Sequence, residues 1–589
     1  MSFNKYYQDE FVFLREMGAE FARAYPRLAP FLAGEGSDPD VERLLEGFAF
    51  LTGRIRQKLD DELPELTHAL IALLWPHLLR PIPAMSMLQF QPIPHIVSEK
   101  KRIPRGIEVD SVPVEGTPCR FHTCYDVEVY PLTLEQVEVH RTGAASTLRL
   151  GFVLNPGVSV DGLQLDSLRL YLHSEPFFVA QSLYLWFQRY LHRITVQPVG
   201  ERRVEQRLTL PPTAVRPVGF ADQEGLFPYP TNAFVGYRLF QEYFTLPQKF
   251  LFVDITGLAP MAHLAIKDRF ELICEFSHPL EEQVRLTTDN VRLYCTPIVN
   301  LFPKEADPIR LEHNRKVEYP VRPSGRNPTH FEIYALDRVV GWVQGSGTQR
   351  VYQPFLSFHH SVMEDDRQTI YYRTRLVPAV IGRGADTYMA FVSPRDEQAF
   401  PPTETVSIEL TCTNRDLPEK LRVGDISRPT GSSPEFARCR NISPVTASVL
   451  PPLDRGLYWQ LISNMSLNYV SLVHVEALRL ILSTYNFQAY YDRQAARAHT
   501  LRMEGLTNIR YTPLDRLLKG SPIRGLCINM EMDGSKFAGE GDMYLLASVL
   551  NEFFALYGTI NSFHQLVVRN VDRGEEYQWP ARIGQQPLL

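Results

Sequence analysis

The stretch DPDVERLLEGFAFLTGRIRQKL, residues 38–59, carries a complete signal for an amphipathic helix. Asp38 can accept hydrogen bonds from the first free backbone N–H groups, and Pro39 suits the first helical position because no N–H is needed there. Apolar side chains then recur every three or four residues and share one helix face. They are Val41, Leu44, Leu45, Phe48, Leu51, Ile55 and Leu59. The stretch therefore predicts a helix with an apolar side that something must cover.

Two more helices are predicted around this one, which makes residues 1–80 an N-terminal helical region. The preceding helix has one apolar face followed by a proline: Tyr7, Phe11, Leu14, Phe21, Tyr25 and then Pro26. The following helix is expected from about residue 64 to Trp75. Leaving the first two faces in water would forgo roughly 18 to 36 kcal/mol, at about 1.5 to 3 kcal/mol per buried side chain.

Two interpretations of these apolar faces are open. The helices can cover one another or the next domain, or they can form a bundle with another chain. The second interpretation assigns a candidate partner interface, here called the N-terminal stripe. It consists of Phe11, Leu14, Phe21, Val41, Leu45, Phe48 and Ile55.

From residue 81 to about 430 the apolar period changes to two, which indicates half-buried strands. Leu148, Leu150, Phe152 and Leu154 share one strand face in this way. Breaks rich in proline and glycine divide the region into two predicted β-rich domains, residues 81–235 and 236–430. Residues 176–191 form a predicted helix inside the first domain. It gives a strand–helix–strand unit whose aromatic side chains are expected to face that unit's sheet.

Residues 431–589 are predicted to form an α+β domain. A long helix is expected over residues 457–485, strands near residues 509–511 and 525–532, a capped helix over residues 541–556 and a strand over residues 563–568. The predicted fold class is thus multidomain α+β, with N-terminal helices, β-rich middle domains and an α+β C-terminal domain.

Composition excludes several classes of protein. The chain has 589 residues, 44% of them hydrophobic and 22% charged, which is typical of folded multidomain proteins. Its formal net charge of −6 produces no electrostatic field that would attract nucleic acid or an anionic bilayer. The sequence contains neither an apolar run long enough to span a membrane nor a secretory signal. Seven cysteines without a Cys-x-x-Cys pair indicate buried thiols in a reducing cytoplasm.

The sequence offers no motif for catalysis, cofactor binding or metal binding that outweighs a structural interpretation. It lacks nucleophile elbows, Walker loops and dinucleotide fingerprints. The segment Gly539-Glu540-Gly541-Asp542 is better explained as an acidic helix N-terminus than as a phosphate cradle. His359-His360 with Glu364 is the best metal candidate, but a solvated loop is the default. Lys100-Lys101-Arg102 with Arg105 is the one compact basic run, and a solvated loop is favoured there too.

Several collinear segments resemble the TssF family, also called VasA or ImpG, of type VI secretion baseplate subunits. Those at the N-terminus are YYQDE at residues 6–10, LREMG at 14–18 and DPDVERLLEGFAFL at 38–51. The most specific are QEYF at 241–244 with FLF at 250–252, and CTPIVNLF at 295–302. Further ones are LTCTNRDLP at 410–418, SLNY at 466–469, FAGEGD at 537–542 and NSF at 561–563.

The resemblance implies a structural wedge subunit similar to contractile phage-tail baseplate wedge proteins, without enzymatic activity. The implied partners are TssG, a second copy of TssF, TssK, TssE, the VgrG spike, the sheath and tube proteins and, through the baseplate, the envelope-spanning membrane complex. The implied location is the cytoplasm, docked at the inner face of the inner membrane, with no membrane insertion. The alternatives are a cytoplasmic β-rich enzyme or carbohydrate-binding protein with a dispersed site, or a phage-tail wedge protein.

Overall fold

The computed structural model of the chain describes residues 7, 10, 11, 13, 14, 40, 43–54, 71–72, 75–93, 95–143, 145–199, 207–230, 233–280, 284–311, 318–343, 349–355, 371–379, 384–392, 404–451, 474–518, 521–558 and 562–584. The chain divides into two compact units. One is Met1–Leu79 with Leu453–Trp459, and the other is Arg80–Pro452 with Gln460–Leu589. In the first unit residues 43–54 are helical, as their periodicity predicts, and a short 3-10 helix spans Pro76–Leu79.

Antiparallel sheets form much of the second unit. Sheet A has, in spatial order, Ile426–Pro429, Glu108–Val114, Thr117–Thr123, Cys295–Val299, Met85–Pro92 and Ala437–Asn441. Sheet B has Leu208–Leu210, Leu191–Pro198, Arg269–Phe276, Ala145–Leu154 and Leu132–Thr142. Sheet C has Val215–Pro217, Phe252–Thr256, Ser167–Leu172 and Val291–Arg292, and a ribbon pairs Lys101–Ile103 with Val127–Val129. The predicted alternation is confirmed in Ala145–Leu154, where Leu148 and Leu150 are buried and Arg149 is exposed.

Helix α1 (Phe177–Leu185) continues into a π-helical turn, Trp186–Tyr190, so the helix predicted over residues 176–191 is confirmed. The expectation for its aromatic side chains is wrong in part. The strand before α1 lies in sheet C and the strand after it lies in sheet B. Trp186 and Phe187 pack on Phe276 of sheet B, whereas Tyr184 faces Tyr544 and Phe178 is 41% exposed. The reason is that α1 carries apolar side chains on nearly all sides, so they contact more than one element.

Residues 302–413 contain two further sheets that pack face to face, here called the sandwich. Sheet D has Phe302–Glu305, Glu404–Thr413, Glu332–Val343 and Gln349–Val351, with Ile309–Leu311 also paired to Glu404–Thr413. Sheet E has Tyr319–Val321, Ala385–Val392, Tyr371–Pro378 and Gln353–Pro354. Their shared core includes Val406, Ile408, Leu410 and Cys412, all buried as their spacing predicts.

The C-terminal part contains helices and one mixed sheet. Helix α2 (Gly236–Thr245) precedes it in the chain, and α3 (Val475–Tyr485), α4 (Arg493–Gly505) and α5 (Glu540–Tyr557) belong to it. Sheet F has Leu506–Leu518, Ser521–Met532, Ser562–Asn570 and Glu576–Gln578, with Arg582–Ile583 also paired to Ser562–Asn570. Ser521–Met532 and Ser562–Asn570 are parallel, and α5 provides the crossover that parallel strands require.

Most elements of this C-terminal part are predicted from the sequence, but helix α4 is not. The helix predicted over residues 541–556 is α5, and each predicted strand lies within a longer observed one. Of the long helix predicted over residues 457–485, the final turns are α3, and residues 457–473 lie outside the described residues. The predicted domain borders stay predictions. Sheet A combines strands from the ranges 81–235, 236–430 and 431–589.

Gly541 provides a test of how α1 and α5 approach each other. A Cβ atom at Gly541 would lie 2.4 Å from the backbone carbonyl of Gln181 and 2.6 Å from the backbone nitrogen of Ser182. Gly541→Ala gains about 1 kcal/mol of helix propensity but costs about 1 to 3 kcal/mol by overpacking against backbone. We therefore expect a slightly lower thermal unfolding midpoint, by about one or two degrees in a unit of this size. Gly431→Ala is the control, because a Cβ there meets no atom within 4 Å; an equal midpoint for both variants would contradict the prediction.

Candidate functional site

The structure describes four residues of the N-terminal stripe. Phe11, Leu14 and Leu45 are half-buried, and Phe48 is 60% exposed. The ring of Phe11 stacks on Tyr7 at 5.8 Å between centroids. The other three residues, Phe21, Val41 and Ile55, lie outside the described residues.

The helix over residues 43–54 buries its small side and exposes its large apolar side. Ala49 and Gly53 are buried, whereas Leu44 is 74% exposed and Leu51 is 59% exposed. Leu44, Phe48 and Leu51 are spaced four and three residues apart, so they share one helix face. Burial of each such side chain is worth about 1.5 to 3 kcal/mol, which makes this face a strong candidate for contact with another chain.

The QEYF motif lies on α2, all ten residues of which are buried. Glu242 and Lys249 form an ion pair with both side chains fully buried. The other Glu242 oxygen accepts the backbone N–H of Leu226 at 2.7 Å, and the Lys249 ammonium also donates to the carbonyl of Glu224 at 3.0 Å. Burial lowers the pKa of Lys249, and the neighbouring Glu242 carboxylate acts in the opposite direction. The motif thus provides an internal ion pair, and sequence reasoning missed it because the partners are seven residues apart across a helix end.

The aromatic side chains of α2 join three helices. Tyr237 stacks on Tyr485 of α3 at 4.8 Å between centroids, and Phe240 packs on Phe553 of α5 at 4.4 Å. Buried aromatic pairs in such geometry add about 0.5 to 1.5 kcal/mol beyond their burial. Helix α2 therefore holds α3 and α5 together within the second unit.

The FAGEGD motif holds a second buried network. Asp542 is 1% exposed and accepts two hydrogen bonds from the Arg502 guanidinium, each 3.1 Å long. Gln181 of α1 donates a third at 2.8 Å. The interpretation of this motif as an acidic helix N-terminus is confirmed, since α5 begins at Glu540 and carries Glu540 and Asp542 in its first turn.

Asn300 and Asn414, from the CTPIVNLF and LTCTNRDLP motifs, contact each other although they are 114 residues apart. The Asn300 amide group donates to Asn414 Oδ1 at 2.8 Å, and the Asn414 backbone N–H donates to Asn300 Oδ1 at 2.7 Å. Asparagine side chains in such segments commonly fix local turns through nearby backbone groups. Here the two side chains instead bind across the chain, a pairing for which a single sequence gives no signal.

Three of the four cations in the basic run at residues 100–105 form ion pairs within the chain, and the Arg105 guanidinium donates to the carbonyl of Gln223. Lys100 pairs with Glu128 at 2.8 Å, Arg102 pairs with Asp126 at 2.6 Å, and Lys101 pairs with Glu99. These pairs leave little charge for an acidic partner. The prediction of buried thiols is confirmed for five cysteines, and Cys439 and Cys527 are partly buried. Burial raises the pKa of Cys119 and of Cys124 to about 12, so both remain protonated at neutral pH.

Reactive chemistry finds little support in the described part of the chain. There, no three His, Cys, Asp or Glu side chains are grouped so that they could hold a metal ion, and His359, His360 and Glu364 lie outside it. A cleft of about 540 Å³ lies between α1 and residues 284–292. The Arg292 guanidinium in it is paired with Asp289 at 2.9 Å. Among the described helices, none is long and apolar enough to cross a bilayer.

Comparison with known proteins gives concordant results. The sequence profile of the family "Type VI secretion system, TssF" matches residues 1–586. The type VI secretion system component TssF1 of Pseudomonas aeruginosa is 33% identical, with 99% of each chain covered. A chain in the cryo-electron microscopy structure of the type VI secretion system TssK–TssF–TssG baseplate subcomplex has a TM-score of 0.78 and 32% identity, covering 93% of this chain and 99% of that one. A chain in a structure of the baseplate complex from the type VI secretion system has a TM-score of 0.60 and 30% identity, with full coverage of both.

The buried ion pair of α2 generates a double-mutant test. Lys249→Met and Glu242→Gln are each expected to lower the free energy of unfolding by about 3 to 5 kcal/mol, because each breaks a buried ion pair. The Arg238 guanidinium, which lies 3.8 Å from Glu242 and 3.4 Å from Asp222, is present in every variant. The double variant should lose clearly less than the sum, since the interaction between Glu242 and Lys249 is lost only once. Unfolding curves in urea measure all three. Lys420→Met, which breaks the exposed pair with Glu115, is the control and should leave the midpoint unchanged; additive losses at positions 242 and 249 would refute the coupling.

Burial lowers the pKa of His564 to about 4, although its side chain is close to Asn551. The unfolded state, with a pKa near 6.5, therefore binds a proton first as pH falls, and stability present above pH 6.5 is lost down to pH 4. We expect a loss of about 2 kcal/mol at pH 5 from this histidine. Glu332, whose pKa burial raises to about 7, acts with opposite sign. Comparing the native chain with His564→Gln at pH 7.5 and pH 5 isolates the histidine; parallel pH dependences would contradict its role.

Proposed function

The chain belongs to the TssF family of type VI secretion baseplate subunits, and on this premise we propose that it joins TssG and TssK in a baseplate wedge. The observation that carries the proposal is the full-length match to this family together with the likeness to a chain of a TssK–TssF–TssG subcomplex. TssF proteins are structural components of the baseplate. The proposed role is therefore assembly, in which the protein binds partner subunits through its surfaces and not through reactive groups.

The exposed face of Leu44, Phe48 and Leu51, within the N-terminal helical region, is the proposed TssG contact. The N-terminal stripe from Phe11 to Ile55 contributes to the same surface. An apolar helix face of this kind is best covered by an amphipathic helix of a partner, which would bury it at coiled-coil-like spacing. The small buried side at Ala49 and Gly53 supports this arrangement, because it leaves the larger side chains pointing away from their own unit.

The wider set of contacts extends the proposal to the assembled machine. It comprises a second copy of TssF, TssE, the VgrG spike, the sheath and tube proteins and the envelope-spanning membrane complex. In this arrangement the wedges surround the spike and nucleate the contractile sheath and tube, on the cytoplasmic side of the inner membrane. Family membership is what supports these contacts. The described surface adds no feature that favours an enzyme or a carbohydrate-binding protein instead.

Purification of the tagged full-length chain from its native cells tests the proposal. TssG and TssK are expected to copurify in stoichiometric amounts, as identified by mass spectrometry. Recovery of the chain alone, from cells that express the other secretion components, would contradict it.

Phe48→Asp tests the proposed TssG contact. Recovery of coexpressed TssG on the tagged chain is expected to fall at least tenfold, because the partner would have to bury an unpaired carboxylate. The thermal unfolding midpoint should match that of the native chain, since Phe48 is exposed in the isolated protein.

Val423→Asp is the matched control, because Val423 is also an exposed apolar side chain but lies in the second unit. It should leave TssG recovery unchanged. If Phe48→Asp unfolds the isolated chain, the side chain belongs to an internal core; if TssG still binds, the interface lies elsewhere.

A further inference from the structure

The sandwich is an insertion that the chain enters and leaves at neighbouring points. Cys295–Val299 belongs to sheet A, and the chain passes through Asn300 and Leu301 into Phe302–Glu305 of sheet D. It returns from Glu404–Thr413 of sheet D through Asn414 and a 3-10 helix, Leu417–Lys420, to Ile426–Pro429 of sheet A. These two crossings, here called the neck, are the covalent connections between the sandwich and sheet A.

The two asparagines bind the crossings to each other and to sheet A. Besides its bond to Asn414, the Asn300 amide group donates to the carbonyl of Arg120 at 2.7 Å. The Arg120 backbone N–H in turn donates to Asn414 Oδ1 at 3.2 Å. Arg120 belongs to Thr117–Thr123, a central strand of sheet A. Both asparagine side chains are completely buried, so these bonds do not compete with water.

Arg415 holds the other side of the neck. Its guanidinium donates to the carbonyl of Thr329 at 3.3 Å and lies 3.9 Å from the carboxylate of Asp386, both within the sandwich. Its backbone has a φ of 53°, a left-handed conformation that a non-glycine residue adopts at a cost. Asn414 is thus bound toward sheet A while the next residue is bound toward the sandwich.

Among the described residues, further contacts also join the sandwich to the rest of the second unit near the neck. His122 Nδ1 donates to the carbonyl of Leu301 at 2.8 Å, and Thr117 contacts His330 Nδ1 at 2.8 Å. The buried Tyr334 ring lies 5.2 Å from the Arg80 guanidinium, and its hydroxyl group donates to the carbonyl of Pro228 at 3.5 Å. The single hydrogen bonds among these contacts can exchange with water at a small net cost. The orientation of the sandwich is therefore sensitive to the buried bonds of the neck.

We propose that Asn300 and Asn414 form a clasp that fixes the angle of the sandwich on sheet A, and that opening the clasp turns the neck into a hinge. The two residues are positioning residues and act through the backbone of both crossings. The inference rests on contacts within the chain and does not depend on the proposed partners. Failure to bind TssG or TssK would leave it untouched.

The donor pattern of the clasp gives a sharp test, because the two amide groups are used differently. The Asn300 Nδ2 group donates two hydrogen bonds, one to the carbonyl of Arg120 and one to Asn414 Oδ1. Asn300→Asp therefore replaces both bonds by repulsion between oxygen atoms. Asn414 Oδ1 accepts two bonds, and its Nδ2 makes none in the described structure, so Asn414→Asp keeps every bond of the clasp. Both variants bury one added charge, and their difference isolates the clasp.

Hydrogen exchange by mass spectrometry and small-angle X-ray scattering of the purified full-length chain measure the effect. Asn300→Asp is expected to speed exchange at least tenfold in peptides covering residues 298–303, 412–417 and 117–123, with unchanged protection in sheet F. The interatomic distance distribution from scattering should broaden. Asn414→Asp should change exchange in these peptides less than threefold and leave scattering unchanged. If Asn300→Asp fails to fold, Asn300→Ala removes the same donors without adding charge and should give the same pattern.

Asn441→Asp is the matched control. Asn441 is equally buried in sheet A and donates to the carbonyls of Arg422 and Ser443, so its aspartate variant loses two donor bonds, neither of them to Asn300, Asn414 or Arg120. It should lower the unfolding midpoint without selective exchange in the peptides covering residues 298–303, 412–417 and 117–123. Equal effects of the aspartates at positions 300 and 414, or an unchanged distance distribution with exchange raised evenly throughout the chain, would overturn the proposal.

Discussion

Burying a carboxylate or an ammonium group alone is energetically costly, and in the second unit Glu242 and Lys249 are buried as an ion pair. Because the pair is fully buried, the helix that carries Glu242 must be covered on every side. Tyr237 and Phe240 of the same helix reach α3 and α5, which brings the C-terminal helices onto the β-rich part of the chain. One helix thereby links segments that are far apart in the sequence.

The same requirement recurs at the other motif positions. Asp542 is hydrogen-bonded by Arg502 of α4 and Gln181 of α1, and the two neck asparagines are hydrogen-bonded to each other. In each case a polar side chain is buried where its partners come from distant elements. Buried polar groups of this kind cost stability when a partner is missing, so they favour one arrangement of the elements over others. The motifs QEYF, CTPIVNLF, LTCTNRDLP and FAGEGD are thus sites of internal contact between distant elements.

Periodicity predicted the elements much better than their connections. The strands at residues 145–154 and 404–413 and helix α5 follow from local spacing and capping, which depend on nearby residues. The strands before and after α1 belong to different sheets, and Asn300 pairs with Asn414. Both features depend on distant segments of the chain, and a single sequence has no periodic pattern that predicts them. The N-terminal helix was predictable too, but the choice between internal core and partner surface was not. The structure bears on that choice because Phe48 is exposed in the isolated chain.

The close approach of the two neck crossings also has a consequence for how the protein can vary. The chain leaves sheet A and returns toward it at two points that are within hydrogen-bonding distance of each other, so the sandwich is an insertion with adjacent ends. Lengthening, shortening or replacing this insertion would leave the register of sheet A intact as long as Asn300 and Asn414 are kept. Diversity among homologous machines can accumulate in such a module while the framework that holds it is preserved.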